Sequence, residues 1–243
     1  MAGGDGEVED RERMKTIGMG LGLLALLGMC ANPLWGWNSG ESEVHLIARV
    51  RGQLTENVGL KVSEEWRARK DSSDGGDFDS YYWQTEVGVP ILTYKGIELE
   101  PGFRWIRVDT NEGWKTNYLY LLSGTKRFGV GADFSLAVRL RVALNEADSR
   151  PTGHHLKDAW EFRPMFTLRY SGWEDLTPYF AYEIYYNLSD GFWYRNRYYL
   201  GSAYRLTPRF SLFGDVIKQD DRAYEMNHWE EQWIFRLGLS LKL

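Results

Sequence analysis

Apolar and polar residues alternate with a period of two along most of the chain after residue 37. The clearest run is residues 133–145, where the even positions from Phe134 to Leu144 are apolar and Arg139 and Arg141 occupy odd positions. Successive side chains of a β-strand point to opposite faces, so this pattern predicts a strand with one apolar and one polar face. No stretch after residue 37 has the 3.6-residue period of an amphipathic helix, and we therefore expect an all-β protein.

The same alternation marks ten strands, with an eleventh candidate upstream at residues 44–53. The ten are residues 58–69, 79–92, 96–109, 115–127, 131–145, 156–170, 176–188, 192–206, 209–220 and 231–243. Long polar segments at 70–79, 145–156 and 221–230 alternate along the chain with brief joints such as 171–175 and 207–209. This order predicts a meander of hairpins with longer loops at one end and tight turns at the other. Nothing divides it, so residues 37–243 are interpreted as one domain.

The length of the strands bears on whether the apolar face meets a protein core or a lipid. Several predicted strands exceed ten residues, whereas strands of soluble proteins commonly have about 5–6 and a tilted transmembrane strand needs about 9–11. Trp, Tyr and Phe near the strand ends are typical of an interfacial girdle. We expect a transmembrane antiparallel up-and-down β-barrel with a polar lumen. The alternative is a soluble lipocalin-like barrel with a polar outer face.

The number of strands is predicted only as about 10–12. Bacterial single-chain barrels have even strand numbers, which makes a count of eleven awkward. Residues 44–53 either fall short of a full spanning strand, which gives ten, or residues 37–43 and 44–53 hold two strands, which gives twelve.

Composition narrows the class of protein further. Aromatic residues form 15% of the 243 residues, Gly occurs 26 times and Pro only seven times. The mean hydropathy of −0.46 and the 26% of charged residues exclude a bundle of transmembrane helices. The single cysteine excludes a disulfide scaffold, and the net charge of −5 does not favour nucleic acid as a partner.

The beginning of the chain indicates export. Residues 17–31 are the only long apolar run, and Met14-Lys15 precedes them as a short basic region. We interpret residues 1–36 as an N-terminal extension and cleaved signal peptide. The acidic stretch at 3–12 is unlike a signal sequence, which suggests Met14 as the true start. The alternatives are a lipoprotein modified at Cys30, where Met29 is an unsuitable preceding residue, and an apolar helix of the folded domain.

Several short stretches occur in an order that is similar to a known family. They are Trp37-Asn38, Glu64-Glu65-Trp66-Arg67, PGFRWIR at 101–107, Arg139-Leu140-Arg141, LTPYFAYEIYYNL at 176–188, YRNRYYLGSAYRL at 194–206 and the final alternating strand. In this order the chain resembles the DUF2490 family of predicted outer-membrane β-barrel proteins. The resemblance implies a barrel in the outer membrane of a Gram-negative bacterium and no established activity. Leu243 departs from the terminal aromatic residue that is usual in such barrels. Outer-membrane lipid and the barrel assembly machinery are the expected partners.

The polar face of the strands carries the candidate functional residues. The predicted lumen-lining residues are Arg67, Glu98, Glu100, Arg104, Arg139, Arg141, Glu161, Arg163, Arg169, Glu183, Arg195, Arg197, Arg205 and Arg236. Arginine forks and carboxylates could form a network that fills a closed, structural barrel. Alternatively, the excess of arginine could line a narrow pore or cavity for small anionic solutes. In that case Arg139, Arg141, Arg195 and Arg197 are the candidates for selectivity.

Catalysis and cofactor binding are not expected. Only four histidines occur, and none has a Ser and an acid in an arrangement typical of a nucleophilic site. His154 and His155 are adjacent on the chain without a nearby Cys or third His, which does not favour a metal site. The alternatives kept open are an outer-membrane enzyme that acts on lipid, with His154 or His228 in its site, and a barrel that recognises partners through loops 70–79 and 145–156.

Overall fold

The structure, a computed structural model, describes residues 42–70, 78–110, 113–147, 159–222 and 229–243. The predicted signal peptide, its cleavage region and most of the long polar loops lie outside these residues. The described part is almost entirely strand. Its strands are β1 (Ser42–Gln53), β2 (Gly59–Lys70), β3 (Phe78–Gly88), β4 (Ile91–Leu92), β5 (Ile97–Thr110), β6 (Gly113–Val130), β7 (Phe134–Ala147), β8 (Ala159–Tyr170), β9 (Leu176–Asn187), β10 (Phe192–Arg205), β11 (Phe210–Arg222) and β12 (Trp229–Lys242).

Eleven of the described strands are long and close into one barrel. Each pairs antiparallel with the next, except that β3 pairs with β5, from Tyr82 opposite Val108 to Gly88 opposite Gly102. The two-residue β4 pairs with β5 beyond the end of β3. β1 and β12 close the ring as a parallel pair. The prediction of an all-β, antiparallel up-and-down barrel is confirmed, apart from the one parallel pair of β1 and β12.

The parallel pair corrects the reasoning about the number of strands. Eleven lies within the predicted range, but the choice between ten and twelve rested on an even number. An even number is required only where the first and last strands pair antiparallel. Residues 44–53 are part of a full strand, β1. This strand pairs with β12 from Ser42 opposite Trp233 to Arg51 opposite Lys242, and the pair closes a ring with an odd number of strands.

The connections divide the barrel into two ends. Short turns join β1 to β2, β4 to β5, β6 to β7, β8 to β9 and β10 to β11, and β12 ends on the same side; we call this the turn end. Gly131 occupies one of these turns with a φ of 71°, which favours glycine over other residues. We call the opposite side, where β1 begins, the loop end. Among the described helical segments, none has the length and apolar character needed to cross a membrane.

The two faces of the wall have opposite character. Large apolar side chains on the outer face are exposed, among them Leu46, Tyr120, Leu122, Phe180 and Leu200. The inner face buries mainly polar and charged side chains. It also holds two apolar clusters, one with Ile106, Val108, Leu119 and Leu121, and one with Tyr199, Ile217 and Ile234. The lumen is therefore charged but not wholly polar.

Candidate functional site in the barrel lumen

The fourteen residues predicted to line the lumen all lie at positions with the parity of the inner face. Four of them expose less than a tenth of their surface: Arg141, Glu161, Arg163 and Glu183. Burial of this kind is unfavourable for a charge unless partners satisfy it, and the partners are found on neighbouring and on distant strands.

Glu86 of β3 is the centre of the first group of ion pairs. It accepts hydrogen bonds from Nε and Nη2 of Arg104 at 3.0 and 2.5 Å, and from Nζ of Lys61 at 3.3 Å. Nη2 of Arg141 lies 3.5 Å from its Oε1 atom. Lys61 also donates to Glu100 at 2.7 Å, and Arg141 donates to Oγ of Ser123 at 2.8 Å. Since β5 and β6 separate β3 from β7, the contact of Arg141 with Glu86 links strands that are not adjacent.

Glu183 of β9 is the centre of a second group. It accepts hydrogen bonds from Nη2 of Arg139 at 2.7 Å and from the hydroxyls of Tyr199 and Tyr185 at 2.7 and 3.0 Å. Arg197 donates to Oε1 of Gln219 at 2.5 Å and to the Tyr185 hydroxyl at 2.9 Å. Both of these acceptors are neutral, so among the described residues Arg197 has no direct carboxylate contact.

Three further arginines have close carboxylate partners. Arg195 donates to Asp221 at 2.5 and 3.0 Å, and Arg236 donates to Asp215 at 2.6 and 2.9 Å. Arg163 donates to Glu161 on its own strand. These pairs use the planar guanidinium in the geometry that suits carboxylates.

His45 of β1 is a lumen residue that the sequence did not single out. Its Nε2 atom lies 2.9 Å from Glu43 and its Nδ1 atom 3.1 Å from Glu65, and only 2% of the residue is exposed. Glu65 accepts a further bond from Nε of Arg67 at 2.6 Å. The signal was present, because Val44, Leu46, Ala48 and Val50 alternate with these polar residues. Parity alone places His45 inward only if residues 44–53 form a full strand, which the sequence does not decide.

Tyrosines are a further set of lumen residues, outside the fourteen that were predicted. Tyr185 and Tyr199 share the parity of Glu183 and Arg197, so their inward position was readable. The inward positions of Tyr81 and Tyr194 do not follow from parity, because a register shift occurs in the strand pairing beside each of them. Such a bulge changes the alternation and allows two successive side chains to reach one face. Arg69 lies over the Tyr81 ring and Arg67 over the Tyr82 ring.

The turn end of the lumen carries arginines with fewer partners. We call it the turn-end vestibule and define it by six residues: Arg49, Arg51, Glu98, Arg127, Arg169 and Arg205. Glu98 pairs with Arg51 at 2.7 Å and lies 3.7 Å from Arg127. Arg205 donates to the backbone carbonyl of Glu174. Within the described ranges, Arg49 and Arg169 have no carboxylate within 4.0 Å.

The described residues contain no group of three or more His, Cys, Asp or Glu side chains placed to hold a metal ion. His154, His155 and His228, named for the alternative of a lipid-acting enzyme, lie outside them. The same is true of loop 70–79 from Asp71 to Asp77 and of most of loop 145–156, named for surface recognition.

Comparison with known proteins gives a family and a distant structural likeness. The model of the family described as "Protein of unknown function (DUF2490)" matches residues 43–223. No curated protein matches the chain. A solved structure, described as the NanC porin structure in rhombohedral crystal form, is 14% identical with a TM-score of 0.48 and covers 82% of this chain and 99% of that one.

Proposed function

The chain belongs to the DUF2490 family, and from this membership and the chemistry of its lumen we propose that it is an outer-membrane β-barrel that admits small anionic solutes. The observation that carries the proposal is the excess of guanidinium groups over carboxylates on the inner face. We infer no cofactor.

The outer face supports a location in a membrane. Trp83, Leu122, Phe180, Leu200 and Leu237 each expose about half of their surface or more. Soluble monomers rarely expose contiguous apolar patches beyond a few hundred Å². The long strands have 11 to 18 residues, which is enough to cross a bilayer at a tilt. Each pairs on both sides, as backbone groups in hydrocarbon require. Outer-membrane lipid and the barrel assembly machinery are then the partners that this location implies.

The charge of the inner face supports a preference for anions. By parity, the inward cations of the described strands are Arg49, Arg51, Lys61, Arg67, Arg69, Arg104, Lys115, Arg127, Arg139, Arg141, Arg163, Arg169, Arg195, Arg197, Arg205, Arg236 and Lys242. The inward carboxylates are fewer: Glu43, Glu65, Glu86, Glu98, Glu100, Glu161, Glu183, Asp215, Asp221 and Glu230. A lumen with this surplus attracts anions and repels cations.

A second candidate function, a closed structural barrel, is favoured by a different observation. Glu86, Arg141, Glu183 and Asp215 expose 5% or less of their surface, so the middle of the lumen is filled by its own ion pairs. A solute would pass only when these side chains rearrange. The two candidates differ in whether the refolded barrel conducts ions.

Conductance of the refolded protein in a planar bilayer tests the proposal. We expect small single-channel steps, with a weaker preference for anions after Arg139→Ala or Arg195→Ala because each removes a lumen cation. Arg107→Ala is the matched control, since Arg107 lies exposed on the outer face over the Trp114 ring. A silent bilayer from a barrel that keeps its heat-modifiable migration would overturn the pore and leave the closed barrel.

A further inference from the structure

Glu64 of β2 is a charged residue on the outer face of the barrel. Val62 and Trp66, two positions away on either side, are apolar and share its parity. Its register partners are Ala48 of β1 and Thr85 of β3. A carboxylate that faces lipid is unfavourable unless a partner compensates its charge, and such a residue is therefore a candidate for a functional site.

Neutral donors hold the Glu64 carboxylate in place. The indole Nε1 of Trp83 donates to its Oε2 atom at 2.8 Å, and the Thr85 hydroxyl lies 2.9 Å from both of its oxygen atoms. Neither donor carries a charge, and among the described side chains no cation lies within 4.0 Å of Glu64. A carboxylate can accept about four hydrogen bonds, so this one has room for a further, charged donor.

A groove in the outer wall lies beside Glu64. Its volume is about 390 Å³, within the range of about 300–1,000 Å³ that is typical of small-ligand sites. Besides Glu64, its outer-face lining includes Leu46, Ala48, Trp66, Trp83, Leu237 and Leu239. Ala48 is the smallest of these side chains and lies between Glu64 and Leu239 in the register. The groove is therefore mostly apolar, with a carboxylate at one side.

Tryptophans place Glu64 close to the membrane–water interface. Trp66 and Trp83 are register partners, and Trp105 is opposite Thr85 on the next strand. Trp83 and Trp105 expose 50% and 37% of their surface. Aromatic residues on the outer face of a barrel concentrate at the level of the lipid headgroups. Glu64 is two residues from Trp66, which is about 7 Å along the strand, so a headgroup can reach its carboxylate.

A ligand that suits this groove has a hydrocarbon chain for the apolar part and a charged donor for the carboxylate. A primary ammonium group supplies a positive charge and three N–H donors. We propose that the groove binds an aminophospholipid, with its ammonium group on Glu64 and an acyl chain against Leu46, Leu237 and Leu239. This inference rests on the membrane location in the proposed function and is independent of conduction.

Native mass spectrometry of the refolded full barrel in detergent tests the site. The probes are phosphatidylethanolamine and phosphatidylcholine with the same acyl chains, added in equal amounts. Phosphatidylcholine is the matched ligand, because its quaternary ammonium keeps the charge but has no N–H to donate. We expect one phosphatidylethanolamine to be retained in preference to phosphatidylcholine by about fivefold or more, since hydrogen bonds between charged groups are the stronger kind.

Two variants assign the retained lipid to the groove. Glu64→Gln keeps the size of the side chain without its charge, and should bring the two lipids to equal retention. Ala48→Phe fills the groove and should reduce the retention of phosphatidylethanolamine, which carries the test should Glu64→Gln fail to keep heat-modifiable migration. Glu231→Gln is the matched control and should keep the preference, because Glu231 is an exposed outer-face carboxylate that already pairs with Lys218 at 2.8 Å.

The possible outcomes separate this site from the rest of the account. Equal retention of the two lipids by the unaltered protein, or an unchanged preference in folded Glu64→Gln, would overturn it. A mass of two barrels that Glu64→Gln reduces to one would also overturn it, because the groove would then hold a second copy of the chain. A barrel that stays soluble and monomeric without detergent would contradict the membrane location itself. Preferential retention by a barrel that does not conduct would support the site and count against the pore alone.

Discussion

At the scale of single residues, the lumen is a set of charges whose partners come from several strands. Arg141 reaches Ser123 on the adjacent strand and Glu86 on a distant one, while Arg139 reaches Glu183 two strands away. Parity in the sequence indicates which face each side chain occupies, but it carries no information on contacts across the lumen. The face of these residues was therefore predictable and their pairing was not.

His45 offers a test of how much one such contact contributes to the stability of the barrel. His45→Ala would leave Glu43 and Glu65 facing each other without the ring that lies between them. We expect the free energy of unfolding to fall by about 2–3 kcal/mol, since buried carboxylates lose a hydrogen-bonding partner. Urea unfolding of the barrel inserted in lipid vesicles measures this change.

The control is a variant that keeps part of the hydrogen bonding. His45→Gln retains an amide donor of similar reach and should lose less stability than His45→Ala. Equal stability of His45→Ala and the unaltered protein would show that the two carboxylates find other partners.

At the scale of elements, the alternation located most strands well and failed where local geometry interrupts it. The predicted strand 131–145 corresponds to β7 at Phe134–Ala147, because nothing breaks its period. The predicted strand 79–92 is instead split into β3 and β4. Pro90 has no N–H to donate to a ladder, and its carbonyl accepts a bond from the N–H of Gly59 instead. The register shifts beside Tyr81 and Tyr194 likewise have no clear signature in composition or period.

The parallel pair of β1 and β12 was beyond the reach of the sequence. Strand period is the same in parallel and antiparallel pairs, so neither the odd number nor the seam could be read from alternation. This parallel pair nevertheless closes the barrel. It holds β1 between β2 and β12, with residues 43, 45 and 47 buried on the inner face.

A disulfide across this seam tests its register. Leu46 is opposite Leu237, so Leu46→Cys with Leu237→Cys should form a cross-link when Cys30 is replaced by Ser. Leu46→Cys with Leu241→Cys should not, since four residues of strand separate the two thiols by about 13 Å. The readout is migration on a denaturing gel with and without reductant. The reverse outcome, a cross-link only in the second pair, would contradict the parallel register.

At the scale of the whole molecule, the barrel wall separates an apolar outer face from a cationic inner face. The sequence as a whole carries a net charge of −5, yet the described inner face has more cations than carboxylates. Net charge is therefore a poor guide to the solute of a barrel, because acidic residues concentrated elsewhere conceal a cationic lumen. The mean hydropathy of −0.46 conceals the apolar outer face in the same way, because it averages over both faces of the wall.

The central claim is that this cationic lumen admits small anions, and the reversal potential across a planar bilayer tests it most directly. With a gradient of KCl across the refolded barrel, the account predicts a reversal potential displaced towards the equilibrium potential of chloride. A displacement towards the equilibrium potential of potassium would contradict the claim.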